Sequence, residues 1–175
     1  MPGWHGSGPE HWQSIWEKRN PSFSRIQQPN WETPQKHEWI AALHARIRES
    51  AEPVVLVAHS LGCLAVAHWA QQLYPAHKIA AAFLVAPPWF GQEETCPPEA
   101  HSFLPIPTWR LPFSTWLVAS RNDPYLSFSA ATQLSELWGS QLVDAGLTGH
   151  INAESGCGEW PEGEDLLCRI LTASA

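Results

Sequence analysis

Three observations predict a three-layer α/β domain with a mainly parallel, doubly wound sheet and helices on both faces. Short, continuously apolar runs alternate with amphipathic stretches along most of the chain. The clearest run, Pro53-Val54-Val55-Leu56-Val57-Ala58, has the composition of a central parallel strand buried on both faces. The chain has 175 residues, 44% of them apolar and 15% charged, enough for one cored domain over 1–175.

Taken in order, a Gly-rich turn from Pro2 to Gly8 leads into a helix expected from Pro9, with Trp12, Ile15 and Trp16 at helical spacing. Ser24 to Gln28 is a weak strand candidate. Thr33-Pro34 reads as a helix cap followed by Pro at the first helical position, with Trp39, Leu43 and Ile47 on one face beyond it. The strand at 53–58 breaks sharply at His59-Ser60-Leu61-Gly62, and an apolar helix continues to about Tyr74. Buried strands are expected at Ile79 to Ala86 and Thr115 to Ala119, separated by a Pro-rich aromatic loop from Pro87 to about Phe113. Ser127 caps a helix that stops near Trp138-Gly139. A short strand at Gln141 to Val143 and a last helix from Glu164 to about Thr172 complete the pattern.

The chemistry is concentrated after the first buried strand. Ala58-His59-Ser60-Leu61-Gly62 matches the strand–turn–helix pattern G-x-S-x-G, with Ala in the first position. Small residues on either side of the serine allow a strained turn that lifts its hydroxyl to a helix N-terminus, where the Leu61 amide faces a developing oxyanion. The competing reading makes Ser60 a plain helix cap and Gly62 a packing glycine; the buried strand before it and helix after it favour the nucleophile.

A serine hydroxyl needs a base, and the base needs an orienting acid. In this pattern the chain order is Ser, acid, His. Asp123, just past the strand at 115–119, supplies the acid, although Asp before Pro is also a common turn. Asp144 lies too close in sequence to the candidate base. His150 is the only histidine after Asp123 and sits on a Gly-rich loop. The second oxyanion amide is assigned to Trp4, in Pro2-Gly3-Trp4-His5-Gly6-Ser7-Gly8, a loop otherwise readable as an ordinary turn. Trp89, Phe90, Phe103 and Trp109 are candidates for an apolar substrate pocket, because the loop carrying them should lie over the C-terminal edge of the sheet. The same loop also reads as simple cover.

Composition narrows the field. A formal net charge of −7 argues against a nucleic-acid surface. Four cysteines form no C-x-x-C pair, and nine histidines form no H-E-x-x-H spacing, so neither zinc nor thiol redox chemistry has support. No run approaches the ~20 apolar residues of a membrane span. Without the basic and apolar regions of a signal peptide, the default location is the cytoplasm. Eleven tryptophans are far above the usual share and are expected mostly in the core or in pocket walls.

The motifs together resemble the retinoblastoma-binding protein 9 / YdeN-like group of small serine hydrolases, a branch of the α/β-hydrolases. The matching stretches are Pro2-Gly3-Trp4 through Ser7-Gly8-Pro9, His11-Trp12-Gln13, Ala58 to Gly62, Ser120 to Pro124, Gly149-His150-Ile151-Asn152, Gly156, Gly158 and Trp160-Pro161. The resemblance implies a Ser60–His150–Asp123 triad, no cofactor, no large cap domain, and hydrolysis of small esters or related acyl compounds. The alternative from another class is a non-catalytic protein-binding module on the same fold. In the family a strand precedes the Pro-Gly-Trp turn. That first strand is missing from this sequence, and about five to eight further residues before Pro2 are expected, the length of one strand.

Overall fold

The computed structural model describes residues 1–72, 78–90 and 96–173. Four strands, β1 (Val54–His59), β2 (Ile79–Val85), β3 (Thr115–Ala119) and β4 (Gln141–Asp144), form one sheet in the order β1-β2-β3-β4. All three pairings are parallel. Parallel neighbours need crossover connections, and α3 (Leu61–Gln72) and α4 (Phe128–Trp138) lie in two of these. Helices α1 (Trp12–Arg19), α2 (Lys36–Glu49) and α5 (Pro161–Ala173) complete the set, with a short 3-10 helix at Pro98–Phe103 in the connection from β2 to β3.

Alternation along the strands sorts the core into two layers. Leu56, Ala58, Ala82, Leu84, Leu117 and Ala119 pack with α2, α3 and α4 on one face. Ala81, Phe83, Val85 and Val118 pack with Trp12 and Trp16 of α1 and with Leu167 and Ile170 of α5 on the other. Helix α3 is buried from Leu61 through Ala70, which explains why its sequence is apolar all round. Six of the eleven tryptophans are buried in the core: Trp12, Trp16, Trp39, Trp69 and Trp138 fully, and Trp160 almost so. Trp12, Trp16 and Trp160 form a ring cluster with centroids 4.6 to 5.8 Å apart.

Several boundaries differ from expectation for local reasons. Pro9 does not begin α1, because Gly8 to His11 closes a turn first (His11 N to Gly8 O, 3.0 Å). His11 is the cap instead, its Nδ1 accepting from the Gln13 amide at 3.2 Å. Thr33-Pro34 does not cap α2. The Thr33 hydroxyl accepts from Asn30, and the Lys36 amide donates to Ser102 Oγ at 3.0 Å, so a residue 66 positions away does the capping. Helix α5 begins at Pro161, three residues early, using Pro in the first turn. Ser127 and Gly139 flank α4 as expected, Ser127 accepting from Ala130 N and Gly139 adopting a left-handed conformation. Tyr74, the expected end of α3, lies outside the described residues.

Ser24 to Gln28 is not a strand. Ser24, Arg25 and Ile26 lie across a groove of about 500 Å³ from Val54 to Val57, and a strand cannot form with no ladder partner beside it. On that edge of β1, Met1 makes a single parallel bridge. Its nitrogen donates to Val57 O at 2.7 Å and its carbonyl accepts from His59 N at 3.1 Å. The Gln13 side-chain amide reaches the carbonyls of both Met1 and Val57. Among the described residues, no helix is long and apolar enough to cross a membrane.

Candidate functional site

The C-terminal ends of all four strands carry the residues singled out in the sequence. Ser60 follows β1 directly, Asp123 lies in the turn after β3, and His150 lies in the loop after β4. Parallel strands bring these ends to one edge of the sheet, so positions 63 and 27 residues apart converge.

Ser60 sits at the turn between β1 and α3 with φ +52°, a left-handed conformation that a non-glycine residue holds only when its surroundings enforce it. Its amide donates to Val85 O at 2.9 Å, and its carbonyl accepts from Cys63 N at 2.9 Å. Gly62 is required for a reason beyond strand–helix packing. A β-carbon there would lie 2.6 Å from the carbonyl oxygens of both Met1 and Pro2. The glycine lets the N-terminal loop lie directly on the elbow.

Ser60, His150 and Asp123 form a continuous hydrogen-bonded array. Ser60 Oγ is 2.9 Å from His150 Nε2, and His150 Nδ1 is 2.9 and 3.0 Å from the two Asp123 oxygens. The Asp123 side chain is completely buried and also accepts from the Tyr125 amide at 2.8 Å. Asp144, the competing acid, is turned away and forms a pair with Arg121. In this array Nδ1 carries its proton toward the carboxylate, which leaves Nε2 free to take the serine proton.

The Leu61 and Trp4 amides both lie at or next to the elbow. Leu61 is the first residue of α3, where no intrahelical acceptor exists. A β-carbon on Gly3 would meet Ser60 Cβ at 2.8 Å and the Leu61 nitrogen at 3.2 Å, so Trp4 follows a residue pressed against the elbow. Neither amide donates to a protein acceptor among the described residues. Three bonds anchor the loop: His5 N donates to Trp31 O, Gly6 N to Gly3 O, and the Trp4 indole to Glu32 O.

A cavity of about 500 Å³ opens over Ser60. Trp4, Pro88, Phe90, Pro97 and Ala100 make its apolar wall, while His11, Asn152 and Glu154 lie on the side of His150. Of the pocket candidates, Phe90 is in the wall and the others are not. Trp89 packs onto the core, and its amide donates to Tyr125 O. Trp109 is 49% exposed and away from the cavity. Phe103 is fully buried, edge-on to Trp39. An aromatic count in the loop says nothing about which rings turn inward. Sequence reasoning missed Tyr125, whose ring is edge-on to His150 at 4.7 Å and 56% exposed at the mouth. Its position two residues after the acid was the available signal.

Two further imidazoles flank the array. His59 is edge-on to His11 and tilted against His150. Burial, then the neighbouring His11 and His150, holds the His59 pKa well below its usual value. Burial and the Arg25 guanidinium bring His11 down to about 4. Both rings are therefore neutral around a base that must itself accept a proton. His68, farther off on α3, donates from Nε2 to Phe103 O at 2.8 Å and belongs to the core.

Comparison with known proteins agrees with this geometry. The sequence profile of the serine hydrolase family matches residues 1–169. No curated protein matches the sequence. A YdeN-like hydrolase from Pectobacterium atrosepticum is 36% identical, with 99% of this chain and 89% of that chain covered and a TM-score of 0.86. The ydeN gene product from B. subtilis is 22% identical over 98% of this chain and 96% of that chain, with a TM-score of 0.79. Esterase 2 from Thermogutta terrifontis shares 15% identity and a TM-score of 0.56 over 79% of this chain and 64% of that chain, a likeness of fold. With a family match over nearly its whole length, a parallel sheet with helices on both faces, and no large cap among the described residues, the chain belongs to the serine hydrolase family.

Proposed function

We propose that the protein is a carboxylesterase-like hydrolase of small esters or related acyl compounds, working through an acyl-enzyme. Ser60 Oγ attacks the acyl carbonyl while His150 Nε2 takes its proton. Asp123 holds the imidazole in the required tautomer and stabilises the imidazolium. The Trp4 and Leu61 amides bear the oxyanion; each such donor is worth about 10²–10³ in rate. His150 returns the proton to the leaving alcohol, the acyl group stays on Ser60, and water activated by the same imidazole releases the acid.

The observation that carries this reading is the unbroken line from Ser60 Oγ through His150 to a fully buried Asp123, with every step at 3.0 Å or less. The cavity beside it holds a small substrate, with the apolar wall suited to an acyl chain. The test is a fluorophosphonate label with peptide mapping, paired with turnover of p-nitrophenyl esters. Wild-type protein should be labelled at Ser60, and Ser60→Ala should lose both the label and several orders of magnitude in kcat. A label on another serine overturns the assignment of Ser60, and neither label nor turnover with any acyl ester overturns the proposal and leaves a binding module.

A further inference from the structure

The His59 ring, one residue before Ser60, makes a contact that the proposed chemistry does not use directly: its Nε2 lies 2.9 Å from the backbone carbonyl of His150. We propose that His59 is a positioning residue that fastens the general base to the strand end carrying the nucleophile. This rests on the hydrolase reading above.

The need for such a fastening follows from the base loop. Between β4 and α5 the chain has no regular ladder to fix it. His150 is flanked by Gly149 at φ +57° and Ile151 at φ +50°. Left-handed backbone at a β-branched residue persists only where neighbours hold it. Gly149 N donates to Asn122 Oδ1 at 2.8 Å, on the acid's turn. His150 N donates to Ser155 Oγ at 3.0 Å, and the Trp12 indole donates to Ile151 O at 2.9 Å. A further bond comes from His59. Ser155 lies within the same loop, Asn122 beside the acid and Trp12 on α1, so among the described residues the His59 bond is the one link from the base loop to the nucleophile's own turn besides the His150–Ser60 bond itself.

The result is a closed circuit: His59 is bonded covalently to Ser60, its ring holds the His150 carbonyl, and the His150 ring returns to Ser60 Oγ at 2.9 Å. Displacement of either partner must break a bond in this circuit. Base and nucleophile have to stay within hydrogen-bond reach for proton transfer, and a misplacement of about 1 Å costs on the order of 10²-fold in rate.

The chemistry also explains why the residue is histidine. A carbonyl only accepts, so Nε2 carries the proton and Nδ1 is bare. The ring is buried and edge-on to both His11 and Trp12, an aromatic slot that a flexible chain would fill poorly. Its groups face His11 and His150, and burial among them keeps it uncharged. The base is thus held by a strong donor that places no positive charge beside it. Lysine or arginine would put a cation there and oppose protonation of His150.

The experiment compares His59→Gln, which retains a donor of similar reach, with His59→Met, which retains bulk without a donor. The readouts are kcat and KM for p-nitrophenyl butyrate, the fluorophosphonate labelling rate at Ser60 across pH, and the urea midpoint. His59→Met should lose about tenfold to a hundredfold in kcat and in labelling rate, with KM within about twofold. Its pH–rate profile should shift, because the base is no longer held against Asp123 and Ser60. His59→Gln should recover most of the loss at equal stability. Wild-type kcat and an unchanged pH profile in folded His59→Met overturn the inference. Should His59→Met not fold, His59→Asn carries the test: its amide falls one methylene short of the carbonyl, and wild-type kcat there is equally fatal. Wild-type protein that is neither labelled nor active would instead refute the hydrolase reading itself.

Discussion

Gly3 and Ser60 approach so closely that a β-carbon on Gly3 would lie 2.8 Å from the serine Cβ and 3.0 Å from the His59 carbonyl. Any larger residue must push the N-terminal loop off the elbow, and the Trp4 amide travels with it. Gly3→Ala should therefore behave as the loss of one oxyanion donor, lowering kcat by about 10²–10³ while KM changes little. Steady-state kinetics with p-nitrophenyl acetate would check this. A variant that keeps wild-type kcat would remove Trp4 from the oxyanion site.

Asp123 is buried with both oxygens at the His150 ring. Asp123→Asn should preserve shape but favour the wrong imidazole tautomer, and a loss in kcat of about 10⁴ is expected. The Tyr125 amide loses a charged acceptor as well, so a modest drop in urea midpoint should accompany it. Loss of stability with activity intact would make Asp123 a turn residue only.

Phe90 forms part of the apolar wall, and Trp109 does not. Phe90→Ala should change the preferred acyl length in an ester series, with about 1–3 kcal/mol per substrate group that loses contact. Trp109→Ala should leave that profile as it is. The reverse outcome would mean that the loop moves over the cavity when substrate binds.

Acid should destabilise the fold through its buried imidazoles. In the unfolded chain His11 titrates near 6.5, whereas in the folded protein it resists protonation down to about 4. Between those pH values the unfolded state binds more protons, so stability falls as pH is lowered from 6.5 and the loss is complete near 4. The His11 contribution is about 3 kcal/mol at most, and His59 acts in the same direction. His11→Asn keeps an acceptor for the α1 cap without a titrating ring. Its urea midpoint should decline less steeply across that window than the wild type's; parallel curves would show that His11 is not responsible.

The parts legible in the sequence were those fixed by local chemistry. The strand at Thr115 to Ala119, the Ser127 and Gly139 ends of α4, and the elbow at Ser60 each rest on residues a few positions apart. The order of Ser60, Asp123 and His150 was readable because parallel topology leaves few places for an acid and a base. Contacts between distant segments were not readable. Nothing near Lys36 announces that Ser102 caps α2, and nothing near Ser24 shows what lies beside it. Trp89, Phe90 and Trp109 share a loop and a chemistry, and only the packing of that loop separates the wall residue from the others. The role of His59 was not readable either, since its bond to a carbonyl 91 positions away leaves no pattern in sequence.

The stack of Trp12, Trp16 and Trp160 has an optical consequence. Indole rings with centroids 4.6 to 5.8 Å apart, two of them stacked nearly parallel at 8°, share their excited states. Exciton coupling among them should give a circular dichroism couplet that isolated tryptophans lack. Trp12 also holds the Ile151 carbonyl beside the base. The couplet is thus a native chromophore whose collapse reports loosening of the base loop, with no label attached.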